Sequence, residues 1–177
     1  FSAIQNNDKV GILFFSDKIE KFIPPKKGKQ HTLHIIRDLI ELQPESKGTD
    51  IGLALEYLAG IMKKKAIVFL LSDFVSPSYE TPLKVISKRH DVTGIRVFDS
   101  IEEDIPNLGI VLANDTETGE ENWINTSSRK VRKAYNGIHL KAKDDFKNHF
   151  AKSGAGRFSV NTNESYVKKL LTYFQQR

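Results

Sequence analysis

The chain has 177 residues, of which 39% are apolar, so it is long enough to bury one sizeable core, and its length favours a single domain. It contains no cysteine, which excludes disulfide frameworks, thiol nucleophiles and cysteine-based zinc or iron–sulfur sites. The net charge of +5 is unevenly divided, because residues 1–126 carry 15 Lys and Arg against 19 Asp and Glu, whereas residues 127–177 carry 12 against 3.

The first predicted elements form an antiparallel hairpin. Residues 10–15 are a continuous apolar run, which is typical of a strand buried on both faces of an α/β sheet. Residues 18–23 follow after a short turn and lead into Pro24 and Pro25. Because proline cannot donate a hydrogen bond to a neighbouring strand, we expect this second strand at the edge of the sheet.

Helices and strands then alternate. The sequence predicts a helix over residues 30–42, a helix capped by Thr49 or Asp50, a strand over 66–71, a short helix over 82–90 and a third parallel strand over 92–98. The apolar stripes of the first two helices are Leu33, Ile36, Leu39, Ile40 and Leu42, and Leu53, Leu55, Leu58 and Ile61. This alternation predicts an α/β fold with a Rossmann-like, mostly parallel sheet and one antiparallel edge hairpin.

A second hairpin and two helices are predicted in the C-terminal part. Residues 110–113 and 122–125 flank a turn-rich segment, 115–119, and a long helix follows Ser127. One face of this helix is apolar, comprising Val131, Tyr135, Ile138, Ala142, Phe146 and Phe150, and the other is basic. A short strand over 157–160 and a helix over 164–174 complete the chain. We therefore expect an α/β core over residues 1–108 and a hairpin and helical extension over 109–177, packed on that core.

Two segments should meet where the strands end. One is the loop over residues 46–50, which contains Thr49, and the other is Ser72-Asp73-Phe74 after the second buried strand. Ligands of open α/β sheets bind beyond the carboxyl ends of the strands. A hydroxyl and a carboxylate converging at this edge are hard oxygen ligands and suit Mg²⁺ or Mn²⁺.

Four short segments carry a family resemblance: residues 8–17, 22–25, 48–51 and 71–74. Together they resemble a bacterial family known as domain of unknown function fifty-eight, which contains a von Willebrand factor A-like domain. The hairpin that contains Trp123 and the basic helix from Arg129 are similar to the C-terminal extension of that family. The resemblance covers nearly the whole chain.

The resemblance implies a protein-binding module and not an enzyme. Such domains hold a divalent ion in a metal-ion-dependent adhesion site, whose open position takes an acidic residue of a protein partner. Thr49 and Asp73 match two of its ligand positions, whereas the Asp-x-Ser-x-Ser motif is absent. The chain begins at Phe1, and residues 1–7 resemble the end of the helix after the missing first strand. We therefore expect a piece of a longer protein that binds Mg²⁺ or Mn²⁺ only when whole.

In the family that the chain resembles, a further strand lies in the sheet between the strands of residues 10–15 and 66–71. This strand is the missing first strand. We expect these two strands either to pair directly or to accept a segment of another chain, as in a strand-exchanged oligomer, because unpaired buried backbone groups are costly.

The resemblance also implies a partner, a MoxR-type AAA ATPase with which family members are thought to act in chaperone-like assembly. On the basic face of the long helix, Lys141, Lys143 and Lys147 are the predicted docking residues. No apolar stretch approaches the length of a membrane span, and a cytoplasmic location is expected.

Two other function classes remain open. Asp73 after a strand is also the position of a phosphoacceptor or phosphatase nucleophile, although the chain has no Gly-x-Ser-x-Gly, Gly-x-Gly-x-x-Gly or Walker-type motif. The basic C-terminal region allows nucleic-acid binding, but aromatic residues do not interleave its charges. The five histidines are scattered and receive no metal or catalytic role.

Overall fold

The computed structural model describes residues 5–114 and 121–176, without the side chains of residues 102, 103 and 114. In chain order the elements are β1 (Val10–Phe15), β2 (Ile19–Lys26), α1 (Lys29–Glu41), α2 (Ile51–Ile61), β3 (Ile67–Ser72), α3 (Glu80–Ser87), β4 (Asp91–Phe98), α4 (Ser100–Glu103), β5 (Ile110–Asn114), β6 (Glu121–Asn125), α5 (Arg129–Ser153), β7 (Gly156–Asn161) and α6 (Tyr166–Gln175). The predicted mixed α/β class is confirmed, and α4 is an element that the sequence did not predict. None of the helices in the described part of the chain is long and apolar enough to cross a membrane.

The central sheet is parallel and has the strand order β3-β4-β7. Ser72 at the end of β3 pairs with Arg96 of β4, and Thr93 of β4 pairs with Gly156 of β7. The two predicted hairpins, β1-β2 and β5-β6, are both antiparallel. Within residues 5–114 and 121–176 the three sets of strands are separate sheets.

One expected arrangement, direct pairing of β1 with β3, is not formed. β1 pairs with β2, and β3 pairs with β4. Each strand instead contacts its own neighbours: β1 contacts β2, α1 and α2, and β3 contacts β4. Insertion of a segment from another chain remains a prediction.

The prediction that β1 and β3 are buried on both faces is wrong. β1 is mostly half-buried, because its sheet has only two strands. In β3, Ile67, Phe69 and Leu71 are 67%, 44% and 59% exposed. The C-terminal helix α6 contacts this face through the Phe69–Phe174 ring pair but buries none of its own residues. Only the opposite face of β3, which includes Leu70, belongs to the core.

The core lies between the parallel sheet and helices α2, α3 and α5. Its buried members are Ile51, Leu55, Leu70, Phe74, Tyr79, Leu83, Ile86, Val92, Phe146 and Phe150. Helix α5 lies directly on β4 because residue 94 is glycine: a Cβ there would lie 2.3 Å from the Phe150 ring. The C-terminal part thus supplies two core rings and β7, while the proposed boundary at residue 108 stays a prediction.

Several apolar stripes differ from the predicted ones. Helix α1 buries Thr32, Ile35 and Asp38, whereas Leu33, Leu39 and Ile40 of the predicted stripe are exposed. On this buried side Lys21 of β2 forms a 2.7 Å ion pair with Asp38, so α1 faces the hairpin with polar as well as apolar side chains. In α2 the buried residues are Ile51, Gly52, Ala54 and Leu55, and Leu53 and Ile61 lie at the surface.

Helix α5 packs as predicted through its C-terminal half. Ala142, Phe146 and Phe150 are buried, but Ile138 is 55% exposed although it was expected to pack. In the N-terminal half, Val131 and Tyr135 are half-buried, and Asn136 accepts a hydrogen bond from the Ile105 amide. The core rings of α5 are Phe146 and Phe150, and Ile138 lies outside the core.

Candidate site at the carboxyl ends of the strands

Three loops meet where β1 and β3 end. The Asp50 amide donates to the Ser16 carbonyl, directly after β1, at 2.9 Å. The next amide, that of Ile51, donates to the hydroxyl of Ser76, in the loop after β3, at 3.0 Å. The segment that contains Thr49 is thus bonded to the end of β1 and to the loop that Asp73 begins. The structure brings together the two loops that the sequence singled out.

Asp50, and not Thr49, caps helix α2. The Asp50 carboxylate accepts a hydrogen bond from the Leu53 amide at 3.0 Å, which is the ordinary geometry of an N-cap. Thr49 is half-buried and precedes the cap. Helix capping therefore does not account for a threonine at this position.

Asp73 begins a tight turn. Its Oδ1 atom accepts hydrogen bonds from the Val75 amide at 3.1 Å and from the Ser72 hydroxyl at 3.2 Å. Phe74 has a φ of 65°, a left-handed conformation that is strained for a bulky residue. Phe74 is 1% exposed, whereas Asp73 lies at the surface. The turn therefore buries the ring and leaves the carboxylate at the edge of the sheet, with one of its two oxygens used by the turn.

Glu20 of β2 orders the loop before Thr49, and no pattern in the sequence points to this role. Its carboxylate accepts hydrogen bonds from the Ser16 hydroxyl at 2.5 Å and from the amides of Glu45 at 3.1 Å and Ser46 at 3.2 Å. These bonds, first of all that from Ser16, hold the pKa of Glu20 below its ordinary value. Glu20 therefore fixes the path of the loop.

The donor types at this edge fit a hard divalent cation, but they do not complete a site. Thr49 supplies a hydroxyl and Asp73 a carboxylate, both oxygen ligands of the kind that Mg²⁺ takes. Over the described residues, no group of three or more His, Cys, Asp or Glu side chains could hold a metal ion. Since Mg²⁺ demands near-octahedral coordination, further oxygen donors are needed.

Helix α5 is connected to the same edge by buried rings. The Phe74 and Phe146 centroids lie 4.4 Å apart, and those of Tyr79 and His149 lie 4.8 Å apart. Burial raises the pKa of the Tyr79 hydroxyl far above its ordinary value. The sequence predicts no role for His149, because the neighbours of His149 in the fold cannot be inferred from its position in the helix.

The three predicted docking lysines of α5 do not share one environment. Lys141 and Lys147 are exposed, as expected. Lys143 is half-buried and interacts with other groups of the chain, so it does not belong to an open basic face. Near the end of the helix, Lys152 forms a 3.2 Å ion pair with Glu80 of α3. Part of the basic charge thus serves contacts within the chain.

Comparison with known proteins found relatives by sequence. The model of a family described as "Protein of unknown function DUF58" matches residues 1–145. Uncharacterized protein Rv1480 of Mycobacterium tuberculosis and Mb1516 of Mycobacterium bovis are 26% identical over 115 residues, 63% of this chain. The chain spans 36% of the length of those relatives. Uncharacterized protein MAV169 of Mycobacterium avium is 22% identical over 158 residues, which are 88% of this chain and 93% of that protein.

Two crystal structures share the fold. They are the conserved hypothetical protein BatB from Bacteroides thetaiotaomicron and an aerotolerance-related membrane protein from Bacteroides fragilis. Each has a TM-score of 0.54 and 17% sequence identity to this chain. The matches cover 96% and 97% of this chain, and 79% and 81% of the other chains, respectively.

Proposed function

This chain belongs to the DUF58 family of proteins of unknown function, and we propose that it is a non-catalytic protein-binding module with a von Willebrand factor A-like, Rossmann-like core. The observation that supports this proposal most directly is the pair of hydrogen bonds from the Asp50 and Ile51 amides to Ser16 and Ser76. They hold the loops of Thr49 and Asp73 at one edge of the fold.

In this proposal Thr49 and Asp73 supply two ligands of a metal-ion-dependent adhesion site for Mg²⁺ or Mn²⁺. Thr49 does not cap helix α2, because Asp50 is the capping residue. Asp73 is exposed at the edge, and its turn uses only one carboxylate oxygen. The ion, when bound, would offer a coordination position to an acidic residue of the partner. The remaining ligands belong to an Asp-x-Ser-x-Ser motif, which these 177 residues do not contain.

We propose a MoxR-type AAA ATPase as the protein partner, in chaperone-like assembly and with a cytoplasmic location. The exposed Lys141 and Lys147 are the docking residues of α5 that best suit an acidic partner surface. Charge reversal at both should weaken binding without unfolding the chain, since neither side chain is buried.

A phosphotransfer or phosphatase-like enzyme is the alternative, and the exposure of Asp73 at the end of a parallel strand favours it. Its nucleophile would be the Asp73 carboxylate. Labelling of the protein by acetyl phosphate, lost in Asp73→Asn, would support the enzyme. Nucleic-acid binding is a weaker alternative, because Lys143 and Lys152 are engaged within the chain.

The binding function is tested with the whole protein and a MoxR-type ATPase from the same organism. Surface plasmon resonance should detect binding in Mg²⁺ that EDTA abolishes. Asp73→Ala should remove the Mg²⁺-dependent signal, whereas Asp8→Ala, an exposed carboxylate before β1, should not. Binding that is indifferent to both EDTA and Asp73→Ala would refute the proposed site.

A further inference from the structure

The β5-β6 hairpin exposes an apolar face. Leu112 pairs directly with Trp123, and Ile110 lies two residues along the same strand, so the three side chains share one face. They are 48%, 72% and 67% exposed, respectively. Trp123 is the single tryptophan of the chain. A two-stranded ribbon is marginal in water, and these three apolar side chains share their face with the polar Asn125 and Glu121. An apolar group with a polar surround is typical of interaction surfaces.

The base of this ribbon is fixed to the beginning of α5. Thr126 is 1% exposed, and its hydroxyl donates to the Gly109 carbonyl at 2.7 Å while accepting from the Leu108 amide at 2.9 Å. The Arg132 guanidinium of α5 donates to the Thr126 carbonyl. Thr126 and Arg132 thus tie the base of the ribbon to the first turns of α5.

A basic hollow lies on that part of α5. It has a volume of about 330 Å³ and is lined by Arg129, Arg132, Lys133, Asn136 and Leu140, which follow one another at helical spacing. Arg129 and Lys133 are exposed. The positive end of the dipole of this 25-residue helix adds to their charge. The hollow thus combines cations with one apolar side chain, that of Leu140.

We propose that the ribbon face and the basic hollow together form a docking surface for an acidic protein segment. Its apolar side chains would cover Leu112 and Trp123, and its carboxylates would pair with Arg129 and Lys133. Tryptophan and arginine are the residue types that dominate binding energy in protein interfaces. This surface is separate from the proposed metal site and does not depend on it.

The surface suits a protein better than a polyanion. Glu121 is exposed on the same strand as Trp123 and repels phosphate. Ile110 and Leu112 are aliphatic, whereas single-stranded nucleic acids stack on aromatic platforms. Cations beside an aliphatic and aromatic face therefore match a partner that presents both carboxylates and apolar side chains.

The test uses the fluorescence of Trp123, since no other tryptophan contributes. The probe is a short tryptophan-free peptide of leucine and glutamate, compared with the same peptide carrying glutamine for glutamate. The acidic peptide should shift the emission to the blue, and added salt should weaken the effect. The binding should persist in EDTA and in Asp73→Ala, which separates this surface from the proposed adhesion site.

Two matched variants locate the contact. Arg129→Glu combined with Lys133→Glu should weaken peptide binding by about tenfold or more. Lys63→Glu combined with Lys64→Glu, an equal change of charge at exposed residues before β3, should leave it unchanged. Circular dichroism and thermal unfolding confirm that both variants fold. Equal affinity in both variants, no response of Trp123, or tighter binding of an oligonucleotide or of anionic lipid vesicles through Arg129 and Lys133 would overturn the proposal.

Discussion

The rings of Phe74 and Phe146 lie 4.4 Å apart, between centroids, at an interplanar angle of 43°. Phe74 follows Asp73, the proposed metal ligand, and Phe146 lies in the C-terminal half of the long helix α5. Since both rings are almost fully buried, the turn at the edge of the sheet and the C-terminal helix rest on one another. The candidate site and the basic helix are thus parts of one packed unit.

Removal of the Phe146 ring should destabilise the protein strongly. Phe146→Ala leaves a cavity against Phe74 and Phe150, and we expect a loss of about 3–5 kcal/mol in the free energy of unfolding. Ile138→Ala, on the same helix but 55% exposed, should cost much less. Urea unfolding followed by circular dichroism measures both. Similar losses in the two variants would mean that α5 does not pack on the sheet as described.

Gly94 should resist any larger side chain. A Cβ at this position would lie 2.3 Å from the Phe150 ring, so Gly94→Ala must displace α5 from β4. We expect a loss of about 1–3 kcal/mol. Gly60→Ala is the control, because nothing lies within 4 Å of a Cβ there. Near the end of α2 that control should instead stabilise the chain by up to about 1 kcal/mol. Equal responses of the two glycines in thermal unfolding would contradict the packing.

Substitutions at Thr49 and at Asp50 should have different effects, one on Mg²⁺ binding and the other on stability. Asp50→Ala removes the cap of α2 and should cost about 0.5–2 kcal/mol of stability. Thr49→Ala should change stability little, because Thr49 is not the cap. In the whole protein, however, Thr49→Ala should weaken Mg²⁺ binding. A large stability loss in Thr49→Ala, measured by urea unfolding, would show that Thr49 has a structural role.

Glu20 should make the stability depend on pH. Its pKa is lowered in the fold, so its ionised form stabilises the native state above its ordinary pKa of 4.5. This contribution is lost as the pH falls through the lowered pKa. Glu20→Gln should therefore flatten the fall in stability below about pH 4.5, whereas the exposed control Glu56→Gln should not. Unfolding curves over this range decide the matter, and identical profiles for the wild type and Glu20→Gln would count against the role of Glu20.

The sequence predicted the positions of the helices and strands better than it predicted which of their faces are buried. Apolar runs located β1, β3 and β4, because local composition is sufficient to favour a strand. Whether Phe69 or Leu71 is covered depends on where α6 lies, which no local pattern encodes. Helix α1 shows the same limit: it packs through Thr32, Ile35 and Asp38, and Lys21, the partner of Asp38, lies in another element.

The candidate site was predicted from strand ends and helix starts. This rule found the loops of Thr49 and Asp73, because the ends of parallel strands share an edge. It did not separate Thr49 from Asp50 as the cap, since both residue types cap helices well. Glu20 was missed because its partners, Glu45 and Ser46, are distant in sequence and meet it only through folding.

Calorimetric titration with Mg²⁺ tests the central claim most directly. The two donors Thr49 and Asp73 are too few for near-octahedral coordination, so this chain of 177 residues should bind Mg²⁺ weakly or not at all. The whole protein should bind it, and Asp73→Ala should abolish that binding while leaving the thermal unfolding unchanged. Tight Mg²⁺ binding by these 177 residues alone, or unaltered binding by the whole protein carrying Asp73→Ala, would contradict the account.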